Sequence, residues 1–398
     1  MGDKPHIMIA GAGVGGLTAA LALLQRGFEV DVYEHAPELA EIGAGFQISA
    51  NGTRVLYELG LGSAIEAISW LPDGKEIRIW DTGEVKKLFD LGAESVERYG
   101  FPYYTFHRAD LQGVLAAAVR ACKPDAIHLN RKCAGVDQDG DGVTLRLENG
   151  QTARGDALIG ADGVHSAIRQ SLFGPDSPRP TGCMAWRGVI PTECLPKGLV
   201  PPVGTNWVGP GRHVVHYYLR RGELLNFVGI VERDDWHEES WSALGTHEEC
   251  LADFDGWHET IQIMIRNIET PFKWALLDRD PMDCWSVGRV SLMGDSCHAT
   301  LPFLAQGAVM AIEDGMVLAR CLDTYDDIKA ALARYQDVRM DRTAKVVIES
   351  AANTTRFHNR TLADPEKAGQ YLQEEWLPER VRERYDWLFV YDATTVEI

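Results

Sequence analysis

Three glycines near the amino terminus, Gly11, Gly13 and Gly16, follow the apolar run His6-Ile7-Met8-Ile9-Ala10. This is the spacing of a dinucleotide-binding turn. Gly11 lets the chain reverse tightly, Gly13 lets the backbone approach a pyrophosphate, and Gly16 lets the next helix pack on the strand. The alanine-rich stretch from Gly15 to Gln25 reads as that helix, with Gly27 as its stop. Its amino-terminal amides and dipole favour a phosphate anion. Glu34 ends the strand Phe28-Glu29-Val30-Asp31-Val32-Tyr33, where an acid accepts hydrogen bonds from a ribose. A second glycine–aspartate pair, Gly294-Asp295, lies far downstream after Arg289-Val290-Ser291-Leu292-Met293, and His298 and Gln306-Gly307-Ala308 follow it.

The elements that must carry these residues can be read coarsely. Residues 5–75 read as βαβ, and 80–105 hold short strand candidates. Asp110 to Ala121 has a helical pattern. Residues 127–160 alternate as strands around turns at Gly135-Val136-Asp137, Asp139-Gly140-Asp141-Gly142 and Asn149-Gly150. The stretch 180–280 is rich in Trp, Tyr and β-branched residues, with strand runs His213–Leu219 and Leu224–Glu232; most of its tryptophans read as core. Helical periodicity returns beyond 303, in Ala330–Tyr335 and Thr343–Ala352.

At 398 residues the chain exceeds one ordinary core, so two intimate domains are expected. A net charge of −19 argues against nucleic acid and anionic membrane surfaces, but not against a small anionic substrate in a local basic pocket. The eight cysteines form no CxxC pair, so neither a metal site nor a disulfide framework is indicated, and reduced thiols fit a cytoplasmic protein. No apolar run suggests integral membrane association.

A third signature lies between the first two. Ala157-Leu158-Ile159-Gly160-Ala161-Asp162-Gly163 is a strand and an Asp-Gly turn, followed by Ser166 and Arg169. In order, the three motifs resemble those of the single-component flavoprotein aromatic hydroxylases, and the likeness spans nearly the whole chain. His107-Arg108-Ala109-Asp110-Leu111 resembles that family's HRxDL segment. The resemblance implies an α/β fold: an FAD-binding Rossmann-like domain of the GR2 type (1–180 and 285–398), an inserted sheet-based substrate domain (181–284) and carboxy-terminal helices. It implies FAD as cofactor, held by Gly11, Gly13, Gly16, Glu34 with His35, Arg108, Asp162, Asp295 and the helix start at Gly307 and Ala308. Asp295 would hold the ribitol. The amides at Gly307 would face the anionic edge of reduced flavin. The resemblance also implies that NADH or NADPH docks transiently, with which the lack of a second GxGxxG agrees. One departure is Ala299, where the family usually places proline after the histidine.

The implied chemistry is hydroxylation of a small phenolic acid by a flavin C4a-hydroperoxide formed from O₂. A phenol reacts best as phenolate, so a base or acceptor near its hydroxyl should help, and the pocket must exclude water. His213 and Tyr217 sit four apart on one strand and therefore share a face, with His216 on the other. They resemble the His and Tyr of 3-hydroxybenzoate 6-hydroxylases and are the first catalytic candidates. The bland alternatives are a satisfied core histidine and sheet packing. Gln47, in Gly43-Ala44-Gly45-Phe46-Gln47, is the third candidate. The 6-hydroxynicotinate enzymes are expected to carry histidine there, so Gln47 weighs against that substrate. Leu301, Pro302 and Phe303 are expected to wall the pocket. Arg187 is a partner for a substrate carboxylate or NADH, or else an ordinary ion pair. The substrate expected is 3-hydroxybenzoate or salicylate in type, with an N-heteroaromatic acid of the 6-hydroxynicotinate type, or a non-hydroxylating redox sensor, as alternatives. A halogenase or amine oxidase fits the motifs less well. The segment Trp376 to Tyr391 is expected to form a homodimer contact or to cover the FAD domain.

Overall fold

A computed structural model describes residues 4–39, 45–233, 235 and 243–398. The first layer is a six-stranded sheet, in the order Ser286–Val287, Val290–Leu292, Ala157–Gly160, His6–Ala10, Glu29–Tyr33, Ile127–His128. All its pairings are parallel except the short edge hairpin. The central strand is apolar because both faces are covered: Ile7, Met8, Ile9 and Ala10 are fully buried. The helix Val14–Leu24 is apolar nearly all round because it packs on this sheet and is sandwiched between the helices Arg108–Cys122 and Gly307–Thr324. At Gly315 a Cβ would stand 2.8 Å from the Ala19 backbone nitrogen, so only glycine permits this helix approach.

The second layer is an eight-stranded sheet in the order Ala243–Leu244, Phe272–Asp278, Arg179–Pro191, Leu224–Glu232, Arg212–Leu219, Gly204–Gly209, Gly74–Ile79, Val85–Asp90. Two of its strands come from residues 74–90, so the sheet is not confined to the expected 181–284. Gly74–Ile79 pairs in parallel with Gly204–Gly209, a long-range pairing that short strand patterns do not reveal. One face buries Met184, Trp186, Trp207, Val214 and Phe227 with the helices His247–Asp253 and Glu259–Arg266. Its opposite face looks toward the first layer. Trp257 and Trp285 are also buried, Trp274 is half-buried, and Trp236 and Trp241 lie outside the described residues.

Two local expectations change. Gly135 is a bulge inside the strand Cys133–Gln138, where the register shifts against Val143–Leu147, and not a turn. The two helical patterns beyond 330 are one helix, Ile328–Phe357, whose 30 residues hold no glycine or proline to break it. The helix Pro378–Phe389 closes the molecule: Arg54 donates to the Tyr391 carbonyl, Tyr99 donates to Asp386, and Tyr385 packs on Phe89. Trp376 is buried just before it. Among the described residues no helix is long and apolar enough to cross a membrane.

Candidate active site

Between the layers lies a cavity of 410 Å³. Two helix amino termini open on it: Val14, Gly15 and Gly16 from one helix, Gly307 and Ala308 from the other. Neither amino-terminal cap is filled by a side chain, so the amides remain available for an anion. Lys75, Arg108 and Arg187 line the cavity against one carboxylate, Asp295, so a basic interior sits inside an acidic protein.

The glycine turn fits a dinucleotide on geometric grounds. A Cβ at Gly11 would meet the Ala161 carbonyl oxygen at 2.3 Å, and one at Gly16 would meet the Gly11 carbonyl oxygen at 2.1 Å. Those two glycines serve the backbone crossing. A Cβ at Gly13 meets nothing within 4 Å, and Gly13 lines the cavity. It is the glycine whose missing side chain leaves a track for a ligand. Gly11, Glu34 and His35 stand behind the lining. The Glu34 carboxylate accepts from the amides of Ala12 (2.7 Å) and Ala36 (2.9 Å) and pairs with exposed His35. Its remaining lone pairs suit a ribose. Arg108 begins its helix at the cavity wall and lies over Phe46.

Asp162 does not line the cavity. Its carboxylate accepts from Ser166 Oγ (2.5 Å) and the Ile168 amide (3.2 Å), so it shapes the turn and leaves Gly163, Val164 and His165 to face inward. Burial raises its pKa, against those hydrogen bonds. Arg169 then joins the two distant motifs: its guanidinium donates to the carbonyls of Ser296 (2.8 Å) and Val164 (2.9 Å). Asp295 is open to the cavity and has no ion pair among the described residues. Its depth in the molecule pushes its carboxyl up, offset by His298 and Arg108. Such an acid suits polyol hydroxyls, as the ribitol of FAD would offer.

Beneath this loop runs a buried ionic network. Asp314 accepts from the Gly294 amide (2.9 Å), His298 Nε2 (2.6 Å) and Arg339 Nε (2.8 Å). Glu313 pairs with Arg339 (2.7 Å) and Arg342 (2.8 Å) and accepts from Asn51 (2.7 Å). His298 is thus a support under the loop, 2% exposed and absent from the cavity wall. Ala299 lines the cavity at φ −52°, within the range a proline ring would fix, so the loop keeps that backbone shape without the ring. Leu301 is a correction. Thr300, Pro302 and Phe303 line the cavity, whereas Leu301 is extended and points into the core, its carbonyl held by Ser350.

The inward face of the large sheet carries His213, Val215 and Tyr217, while His216 turns away to accept from Trp207 Nε1. His213 Nδ1 meets His358 Nε2 at 2.7 Å, and His358 Nδ1 meets Glu232 at 3.0 Å. A carboxylate can only accept, so the hydrogens order in one direction. His358 donates to Glu232, His213 Nδ1–H donates to His358, and His213 Nε2 keeps its lone pair. Burial, and then His358, hold the His213 pKa well below its usual value, so the ring is neutral. Burial raises Tyr217, which therefore stays a phenol and a donor. Gln47 is 8% exposed and accepts from the Tyr103 hydroxyl at 2.8 Å, which leaves its NH₂ for the cavity. Arg187 lies over Trp274 at 5.1 Å. Burial and then Arg108 lower its pKa to about 10.

Sequence reasoning passed over Lys75, Asn206, Trp274 and His358. A signal existed for Lys75: in Gly74-Lys75-Glu76-Ile77-Arg78-Ile79 the lysine is in phase with the buried isoleucines. Nothing local marks His358, which reaches His213 from the end of a distant helix. Gly43 and Ala44 of the Gln47 loop lie outside the described residues.

Comparisons with known proteins give the family. A family model described as an FAD binding domain matches residues 4–350. A 3-amino-4-hydroxybenzoate 2-monooxygenase of Streptomyces platensis is 38% identical, covering 99% of this chain and 98% of its own. A 6-hydroxynicotinate 3-monooxygenase of Pseudomonas fluorescens is 36% identical, covering 100% and 98%. A 3-hydroxybenzoate 6-hydroxylase of Polaromonas naphthalenivorans is 35% identical, covering 98% and 97%. Among solved structures, Klebsiella pneumoniae HpxO complexed with FAD and uric acid superposes with a TM-score of 0.82 at 29% identity, over 97% of this chain and 95% of that one. The chain belongs to the single-component FAD-dependent aromatic hydroxylases, and it is a flavoprotein monooxygenase.

Proposed function

We propose that this enzyme hydroxylates a small phenolic acid of the 3-hydroxybenzoate or salicylate type, taking electrons from NADH or NADPH and an oxygen atom from O₂. One observation carries the reading: a single cavity joins the dinucleotide track to an apolar sheet face that presents a neutral histidine lone pair. FAD, when bound, supplies the redox chemistry with O₂. The chain's own residues do the rest. His213 Nε2 accepts the phenol proton, and Nδ1–H passes its proton to His358 Nε2, whose Nδ1–H passes on to Glu232 at the surface. Because each ring releases a proton as it takes one, no buried imidazolium has to persist. Tyr217 and Gln47 donate hydrogen bonds that orient the ring. Pro302, Phe303, Val215 and Val228 keep water from the reacting carbon.

The named substrates of all three relatives are single-ring acids bearing a hydroxyl group, which supports this class. An N-heteroaromatic acid of the 6-hydroxynicotinate type is the second reading, favoured by the Pseudomonas relative. The test is NADH oxidation by the FAD-loaded enzyme across hydroxybenzoates, aminohydroxybenzoates and hydroxypyridine carboxylates, with product identification. One acid should accelerate oxidation and give one hydroxylated product. Acceleration by none of them contradicts the reading.

A further inference from the structure

Lys75 is 7% exposed, yet its side chain lines the cavity. It has no ion pair or hydrogen bond among the described residues; the Tyr103 ring centre lies 5.6 Å from Nζ. A buried ammonium without an acid is costly, so such a group awaits an anion. Its surroundings form a notch. Lys75 pairs across the sheet with Gly204, which falls opposite Tyr217 in the register that pairs Thr205 with His216. A Cβ on Gly204 would touch Lys75 Cγ at 3.5 Å and stand 3.9 Å from Gln47 Oε1. The missing side chain therefore leaves a gap bounded by Lys75, Tyr217 and Gln47. Lys75 and Tyr217 are two strand spacings apart, roughly 10 Å between backbones, which suits one aromatic ring.

Arg187 is the competing cation. It lies four strands from Lys75 in the sheet order, about 19 Å at the usual strand spacing. It lies two strands from Tyr217, as Lys75 does, but on the side away from Gln47, whose Oε1 stands beside Gly204 and Lys75. Arg187 instead shares its stretch of wall with Trp274 and feels the charge of Arg108, a cofactor-side residue.

We propose that Lys75 is the carboxylate anchor of the substrate site, selecting single-ring acids over their neutral counterparts and setting which ring carbon faces the flavin. This assignment rests on the hydroxylase reading above. Burial lowers the lysine pKa to about 8, which keeps it mostly charged at neutral pH and makes a bound carboxylate a stabilising partner.

The experiment uses the FAD-loaded enzyme and follows the flavin absorbance change on titration with 3-hydroxybenzoate, salicylate and the corresponding hydroxybenzamides. The wild type should bind its preferred acid much more tightly than the matching amide. Lys75→Met should weaken the acid roughly 10- to 100-fold and leave the amide within about threefold, whereas Lys75→Arg should keep the acid preference. Flavin content and thermal stability of each variant show that the fold is retained, and Lys75→Gln is the second neutral variant. Equal binding of acid by wild type and Lys75→Met overturns the anchor while leaving the hydroxylase reading intact. Equal weakening of acid and amide also overturns it, since that points to the phenol oxygen on Lys75. If neither acids nor amides perturb the wild-type flavin, the phenolic-acid reading falls, and the anchor with it.

Discussion

Gly11, Gly13 and Gly16 differ in what a methyl group would meet, and that separates folding from binding. Gly16→Ala drives a Cβ against the Gly11 carbonyl and should lower the melting temperature. Gly13→Val meets open cavity and should leave the melting temperature of the FAD-free protein nearly unchanged while weakening FAD binding at least tenfold by flavin fluorescence. The glycine spacing made this motif legible in sequence, because backbone requirements are local. His358 and Asn206 were not legible, and at Lys75 only the burial was, because their roles depend on which strands and helices meet. At Lys75 the pH dependence has a definite sign. Affinity for an acid should fall as pH rises through about 8, where the free lysine loses its proton. Burial raises Tyr103 and Tyr217 and lowers His213, so no other group facing the notch titrates there. The histidine chain predicts two more results. Glu232→Gln and His358→Asn should reduce kcat by about tenfold or more with little change in KM or flavin content. The wild-type kcat should show no acid-side loss from His213 near pH 6.5, because the folded ring stays neutral well below that pH.

At the scale of elements, the helices Gly307–Thr324 and Ile328–Phe357 are clamped by Arg339 between Glu313 and Asp314. All three side chains are fully buried, so removing Arg339 takes one cation from each carboxylate and leaves Glu313 with Arg342 and Asp314 with His298. Arg339→Met should destabilise the protein by about 1.5–3 kcal/mol in denaturant unfolding. It should also loosen FAD, because Asp314 pins the Gly294 amide. Asp314 itself is held down to about 2, from 3.8: burial opposes its ionisation, and His298 with Arg339 overcome it. Its folded pKa is depressed, so its stabilisation is present above about pH 5 and is lost as pH falls toward 2. Strands and helices with strong patterns were legible: Leu224–Glu232 appears with the expected bounds. What escaped were features fixed by partners. The Gly135 bulge depends on a facing strand, and residues 74–90 join their sheet through pairing with Gly204–Gly209. Leu301 was misplaced because the backbone passes from extended at Leu301 into a tight turn at Pro302, so consecutive residues there do not share one wall.

Across the whole molecule, the site exists because two layers meet face to face. One contributes helix amino termini and backbone tracks, which suit anions; the other contributes a sheet face with a neutral histidine, donors and one buried ammonium. Motifs separated by more than a hundred residues converge through Arg169, whose guanidinium bridges the Asp-Gly and Gly-Asp loops. The order of these motifs was readable in the chain, whereas the pocket between the layers was not, since its far wall comes from strands with no motif of their own. On the proposed function, this cavity transfers oxygen from O₂ to an aromatic acid. The most direct measurement is a turnover with isotopically labelled O₂ and the acid that best accelerates NADH oxidation, followed by mass spectrometry of the product. A single labelled oxygen on the ring is the predicted result. Unlabelled product, or hydrogen peroxide as the sole fate of the oxygen for every acid that accelerates oxidation, would contradict it.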